Sequence, residues 1–399
     1  MSYLIINRDK GIKLSEILEG VKDDLIVLSW YPLEDSSEFK YYEVIPNLRD
    51  LTHYLEFKVI ELSKEYNIET IIAEDEFDLI RAGRLRDYLK IEGQSELSAK
   101  AFRDKVLMKD YLKEIVNVPK YSSIENALDI YNFVEKTGYP FVIKPRDKAG
   151  AQGVKVVRNK DELYEILKSK IDSNSQIERF ISGSMYHVDA VVENNNITMF
   201  MVSKYVNGCL SFMKSQEILS SYQIDVEDPL YDRLSNYFNS VIDAMPIPPI
   251  SAYHMEVFHT DSDELIFCEI GSRIGGGKIM NAFENTYSVD LLSYLYRRWA
   301  KLPVDSPKYQ EKKLTAFMMV PPKKGKLLKL PEEINYDWVQ NYNKLGEIGK
   351  DYNNPNFFSE SIASIVITGT SSNELIQRIS LLQDWLSNEI QWDVDLIKV

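Results

Sequence analysis

The sequence predicts a multidomain α/β protein with α+β lobes, and three observations lead there. Residues 1–97 alternate apolar, strand-like runs with stretches of helical periodicity. Two later runs, AYHMEVF and LIFCEIG, each carry one glutamate and flank a turn-forming cluster, Thr260-Asp261-Ser262-Asp263. Upstream of both, the loop Asp147-Lys148-Ala149-Gly150-Ala151-Gln152-Gly153 separates two further apolar runs. At 399 residues the chain exceeds one ordinary core, so several domains are expected.

In order along the chain, Tyr3–Asn7 and Asp24–Trp30 read as buried strands, Leu51–Tyr66 as a helix and Glu69–Ala73 as a third strand. Asp78–Leu89 is helical, with Leu79, Ala82, Leu85 and Leu89 at helical spacing. This first unit, 1–97, has no G-x-G-x-x-G after its opening strand, so nothing marks it as a dinucleotide site. A second unit, 98–182, begins with helices Lys100–Lys113 and Ile124–Lys136. It continues with strands Phe141–Lys144 and Val154–Val157, a hairpin whose tip is the glycine loop. The third, 183–310, holds strands at Val188–Val192, Thr198–Ser203, Tyr253–Phe258 and Leu265–Glu269, closed by a helix at Leu291–Trp299. The fourth, 311–399, has strands Leu314–Val320 and Ser361–Thr368 and a helix from Glu374 to Asn388, with Asn373 as its expected cap.

Composition narrows the function. A formal net charge of -14 disfavours a polyanionic partner such as nucleic acid. No apolar run approaches the ~20 residues that span a bilayer. The opening MSYLIINRDKGIKL lacks a signal peptide's apolar stretch. Cys209 and Cys268 alone give no disulfide framework, so a cytoplasmic protein is expected. His53, His187, His254 and His259 lack zinc spacing, so a metal site would be built from carboxylates.

Chemistry concentrates on a few residues. The midpoint between Glu256 and Glu269 falls in the Ser262–Asp263 turn. A symmetric hairpin therefore sets the two glutamates opposite each other, their Cβ atoms roughly 5 Å apart. Carboxylates that close repel unless one is protonated or a cation lies between them, and Mg²⁺ favours such oxygen ligands. The alternative is an exposed edge with solvated glutamates. Lys144, inside FVIKP, must reach solvent or an anion. The glycine loop after it offers backbone N–H groups to a phosphate, or is simply a flexible hairpin tip. Arg273 is a planar donor suited to phosphate or carboxylate, and could equally be a loop arginine. Gly275-Gly276-Gly277 permits close approach to a ligand, or a flexible turn.

Taken in order, these segments resemble the ATP-grasp superfamily, particularly its L-amino-acid-ligase and biotin-carboxylase-like branches, over about residues 70–300. AEDEFDLIRAGRLRDYLKIEGQS is similar to the segment leading into the nucleotide lobe, and RDKVLMKDYL to the one carrying the first ATP lysine, here Lys105. FVIKP resembles the segment with the second, Lys144, implied to be both ATP-binding and catalytic, and DKAGAQGV the mobile loop over the phosphates, with Lys148, Gly150 and Gly153. IERFISG resembles the adenine hinge, implying Glu178 as acceptor from the purine amino group and the Phe180 and Ile181 backbone at the ring edge. MEVF and CEIGSR resemble the metal strands, implying Glu256 and Glu269 as Mg²⁺ ligands and Arg273 as catalytic, beside the transferred phosphoryl group. Two positions depart from the pattern. Met185 stands where relatives hold the ribose with a glutamate, which leaves His187 or water for that contact. Gly271 stands where many relatives have an asparagine metal ligand.

The resemblance implies an ATP-grasp fold with an N-terminal Rossmann-like domain and an accessory C-terminal segment packed beside the metal lobe. It implies an ATP- and Mg²⁺-dependent ligase that joins a small-molecule acid to an amine through an acyl phosphate, with an amino acid as one substrate. Residues 204–225 and 272–287 would line the acceptor pocket, with Lys204, Arg273 and Gly276 as substrate contacts. The alternatives are a carboxylase or phosphotransferase on the same lobes, or a nucleotide-binding protein that has lost turnover. A symmetric homodimer is the expected assembly.

Overall fold

Leu4, Ile5 and Ile6, like Leu25 to Leu28, are consecutive buried apolar residues, as strands covered on both faces require. In the computed structural model, which describes residues 1–311 and 313–393, these runs are the central strands of a four-stranded parallel sheet. Its order is Tyr41–Val44, Leu25–Ser29, Ser2–Asn7, Ile68–Ala73. Helix Thr52–Glu65 turns Leu55, Val59 and Leu62 onto one face. The other face receives Tyr296 and Ala300, at the end of helix Leu291–Trp299. The N-terminal unit is thus seated on the third unit through a shared apolar layer.

The expected helix Lys100–Lys113 is two helices, Glu96–Ala101 and Lys105–Leu112. Asp104 causes the break, because its side chain accepts from the Val106 and Leu107 N–H groups as a helix cap does. The next sheet is antiparallel, ordered Tyr121–Ile124, Ser175–Arg179, Phe141–Pro145, Lys155–Val157. Helix Ala127–Thr137 packs on it through Ile130 and Phe133.

The largest sheet has eight strands, with Leu265–Gly271 at one edge, then Ile250–His259, Ser184–Glu193, Asn196–Asn207 and Leu219–Gln223. It continues through Leu314–Val320, Ala363–Gly369 and Val339–Lys344. The C-terminal segment therefore extends this sheet, through pairing of Leu219–Gln223 with Leu314–Val320, rather than only packing beside it. Helix Ser372–Glu389 buries Leu375, Ile379, Leu382 and Leu386 against the sheet. Its cap is Ser371, not Asn373, since the Ser371 side chain accepts from the Glu374 N–H. Lys312 and residues 394–399 of the 311–399 segment lie outside the described residues. Among the described residues no helix is long and apolar enough to cross a membrane.

Gly83 sits where helices Leu79–Leu89 and Glu96–Ala101 meet, and a Cβ there would lie 2.7 Å from the Ser95 backbone. Backbone cannot move aside as a side-chain tip can. Gly83→Ala should therefore cost about 1–3 kcal/mol, read as a lower Tm for the N-terminal unit. An unchanged Tm would show that the two helices can part at no cost.

Candidate active site

Near its turn, the Ile250–His259/Leu265–Gly271 hairpin pairs Val257 with Phe267. Continued unbroken, that register would set Glu256 against Cys268. The strand instead bulges there, adding one residue, and Glu256 opposes Glu269. Both side chains thus stand on one face, and the Cys268 Sγ lies 4.0 Å from Glu256 Oε2. Cations gather around the pair. Lys105 Nζ is 2.9 Å from Glu269 Oε2, and His254 Nε2 is 3.7 Å from Glu256 Oε1. Burial acts to raise the Glu256 carboxyl, but His254 outweighs it and holds the group below the usual range. Arg273 lies close by, its Nε 3.0 Å from Glu76 Oε2, and Arg103 closes the other side of Glu76.

Between this hairpin and the Phe141–Pro145 sheet lies a cavity of about 420 Å³. Lys105, Lys144, Lys148, Gly150, Phe180 and Ile181 line it, with Met185, Val142 and Phe258 adding apolar wall. Glu178 sits at its base between two buried ammonium groups, Lys144 Nζ at 2.6 Å and Lys109 Nζ at 2.9 Å. Burial would raise the Glu178 carboxyl, yet Lys109 and Lys144 bring it down to about 2. Lys109 was not among the residues read from the sequence. Its signal was its place four residues after Lys105, on the same face of helix Lys105–Leu112. The Phe180 N–H donates to the Pro140 carbonyl at 3.3 Å. In the loop, Gly150 and Gly153 adopt left-handed φ of +60° and +72°, and a Cβ at Gly150 would come within 2.4 Å of the Phe357 ring. The Lys148 carbonyl accepts from Lys105 at 2.7 Å, while the Lys148 ammonium turns outward to Asp172 at 3.1 Å.

A second cavity of about 260 Å³ opens on the other side of the glutamates. Arg273, Ile274, Gly276 and Gly277 form one wall, Glu74 and Glu76 another, and Tyr205, Phe317 and Phe357 a third. Two expected ligand contacts fall elsewhere. His187 lines neither cavity; its Nδ1 is 2.5 Å from Asp189 Oδ2 and its Nε2 2.6 Å from Ser221 Oγ, which leaves no ring nitrogen for a ribose hydroxyl. Lys204 follows strand alternation onto the face opposite Tyr205, and its ammonium lies over the Tyr186 ring, 5.3 Å from the centroid. Two of the four histidines, scattered in sequence, converge here. His187, Asp189 and His254 offer ligand atoms within 4.8 Å of one another, and His254 Nδ1 is 2.8 Å from Asp189 Oδ1. This network underlies the glycine run, because a Cβ on Gly275 would be 2.8 Å from both Asp189 Oδ1 and His254 Nδ1. At Gly271, by contrast, a Cβ would meet nothing nearer than Arg273 Cγ at 3.5 Å, an ordinary contact.

Glu178 has a folded-state value of about 2, below its ordinary 4.5. Its stabilisation is therefore complete above the ordinary value and is lost as pH falls through the folded one. Glu178→Gln would leave two buried ammonium groups without their counter-charge, and should cost about 3–5 kcal/mol at neutral pH. It should also flatten the loss of stability between pH 4.5 and about 2, measured by denaturant titration across that range. A wild-type slope in the variant would remove Glu178 as its source.

Residues 102–277 match the ATP-grasp domain family. Over 307 residues, 73% of each chain, the sequence is 27% identical to an L-arginine-specific L-amino acid ligase of Bacillus subtilis. Over 149 residues, 36% of this chain and 48% of that enzyme, it is 27% identical to a D-alanine–D-alanine ligase of Bacillus anthracis. The fold is similar to an L-amino acid ligase from Bacillus licheniformis, with a TM-score of 0.75 over 99% of both chains at 16% identity. It is similar also to N5-carboxyaminoimidazole synthetase from Staphylococcus aureus, whose structure holds ADP, with a TM-score of 0.67 at 16% identity over 96% of this chain and 99% of that one. The chain carries an ATP-grasp domain and is built on the fold of the ATP-grasp ligases.

Proposed function

We propose that this protein is an ATP-dependent carboxylate–amine ligase that activates an amino acid as its acyl phosphate and passes the acyl group to an amine. One observation carries the reading: the opposed Glu256 and Glu269 stand at the junction of two cavities, one framed by lysines and the other by Arg273. The larger cavity suits a nucleotide. Its apolar walls fit a purine, Glu178 keeps acceptor capacity beyond its two lysines, and the Phe180 carbonyl and Ile181 N–H are the backbone groups assigned to the ring edge. Lys105, Lys144 and the N–H groups of the 147–153 loop are assigned to the phosphates, and that loop would close over them.

The residues fit magnesium: two carboxylates share one face, and Glu269 already draws the Lys105 ammonium. Mg²⁺ held by Glu256 and Glu269 would supply charge neutralisation on the phosphates. With Gly271 offering no side chain, water would complete its coordination.

The chain's own part is positioning and charge. Arg273, held by Glu76, would bind the substrate carboxylate and steady the phosphoryl group as it transfers, and Gly276 would let the substrate approach the backbone. The substrate carboxylate attacks the γ-phosphorus, ADP leaves, and the amine then displaces phosphate. No side chain need act as nucleophile. Cys209 lines both cavities, but burial pushes its thiol up to about 12, so it stays protonated and unreactive. We place the enzyme in the cytosol, consistent with two free cysteines, acting on a small-molecule acid and amine, with a symmetric dimer as its assembly.

With an ¹⁸O-labelled acid substrate, one labelled oxygen should appear in released phosphate. ADP should be the nucleotide product, and hydroxylamine should trap a hydroxamate when the amine is withheld. AMP with pyrophosphate, or unlabelled phosphate alone, would overturn the reading. Glu269→Gln should fold and bind ATP yet lose phosphate release by at least about 100-fold. Turnover near wild type at saturating Mg²⁺ would remove Glu269 from the metal site.

A further inference from the structure

The first parallel sheet reverses its order between Ser2–Asn7 and Ile68–Ala73. Strands two and three were added on one side of the first strand, and the fourth on the other. Such a switch point leaves a crevice beyond the carboxyl ends of the two strands. A cavity of about 210 Å³ lies there, lined by Asn7, Arg8, Asp9, Glu74, Met280 and Tyr296 among others. It is continuous in composition with the cavity at Arg273, since Glu74, Asp75 and Ile274 line both.

Its charges do not balance internally. Arg8 is consumed by Asp78, at 2.7 and 3.0 Å, with Asp75 at 3.6 Å. Glu76 is consumed by Arg273 and Arg103. Glu74, which faces both cavities, enters no ion pair or hydrogen bond among the described residues. Burial, with Asp75 beside it, outweighs the nearby Arg273, which is already paired with Glu76, and pushes the Glu74 carboxyl up to about 7. Tyr296, only 3% exposed, lines the same crevice, and its hydroxyl has no hydrogen-bond partner among the described residues. A buried carboxyl with no direct ion pair and an unpartnered hydroxyl in one cavity are both satisfied by a cation that donates hydrogen bonds, which would draw Glu74 into its ionised form.

We propose that the acid substrate is a long basic amino acid, its carboxylate at Arg273 and its side-chain guanidinium or ammonium reaching past Glu74 to Tyr296 and Asp9 in the switch-point crevice. The assignment rests on the ligase reading and adds the class of its first substrate. A neutral side chain of equal length would fill the same space and leave Glu74 uncompensated. An acidic one would add repulsion to that deficit.

Hydroxylamine as the acceptor isolates the first substrate, because each amino acid is then tested only for acyl-phosphate formation. With the full chain and Mg-ATP, arginine or lysine should give hydroxamate with kcat/KM about 30-fold or more above norleucine, which matches lysine's stem without its charge. Glu74→Gln should reduce that preference about tenfold or more, mainly through KM for the basic substrate. Should Glu74→Gln fail to fold, judged by the Tm increase on adding Mg-ATP, Tyr296→Phe tests the same crevice and should reduce the preference severalfold. Hydroxamate from neutral or acidic amino acids in preference to arginine and lysine would overturn the proposal while leaving the ligase reading intact. An unchanged preference in the folded variants would overturn it too. No hydroxamate from any of the common amino acids would overturn both.

Discussion

Two carboxylates facing each other across a hairpin repel, and at roughly 5 Å in a partly desolvated site the repulsion is large. The arrangement of Glu256 and Glu269 can persist only because positive charge is delivered from several directions. Lys105 comes from the start of a helix in the second unit, His254 from the neighbouring position on the same strand face, and Arg273 from the loop that leaves the hairpin. Each cation is itself anchored. Asp189 holds His254, Glu76 holds Arg273, and the Lys148 carbonyl takes a hydrogen bond from Lys105. These anchors come from the N-terminal unit, the glycine loop and the central sheet, so the charge pair ties the domains into one electrostatic unit. Burial acts on His254 to lower it, and Asp189 outweighs this to bring it to about 9, so it enters the site as a cation.

How much of this the chain disclosed depends on the sequence distance of each interaction. The hairpin was legible because its turn and both apolar runs lie within a short segment. Even the opposition of the glutamates could be read from symmetry, although the structure reaches it through a bulge at Cys268 that symmetry does not suggest. The role of Lys109 was hidden, since its partner Glu178 lies on a distant strand and a lysine on a helix reads as solvated. His187 and Lys204 misled for a related reason. Which face of a strand a residue takes depends on register with neighbours that local pattern does not identify. Helix Pro229–Ala244 does carry a signal, Asp228 followed by Pro229 and then Leu234, Phe238 and Val241 at helical spacing. The edge strand Tyr41–Val44 carried little, because YYEV is half-buried throughout.

The seating of the N-terminal unit fixes where its strand ends lie. Tyr296 and Ala300 pack into that unit's core from helix Leu291–Trp299, which fixes the ends of the parallel strands beside the Arg273 loop. The crevice at those strand ends shares Glu74, Asp75 and Ile274 with the cavity at Arg273, and Tyr296 serves in it both as core residue and as cavity wall.

Continuity of the eight-stranded sheet bears on how such enzymes can be recombined. Exchanging the tail after residue 311 for that of a relative would require its first strand to match the hydrogen-bonding edge of Leu219–Gln223. It would also require an apolar helix face that fits beneath the same sheet. The exchange would bring a new residue to the place of Phe357, which lines the cavity at Arg273 and abuts the glycine loop at Gly150. In a chimaera, the tail is a replaceable wall of that cavity, and trading it reshapes the space beside the two glutamates as directly as changing the loop around Arg273.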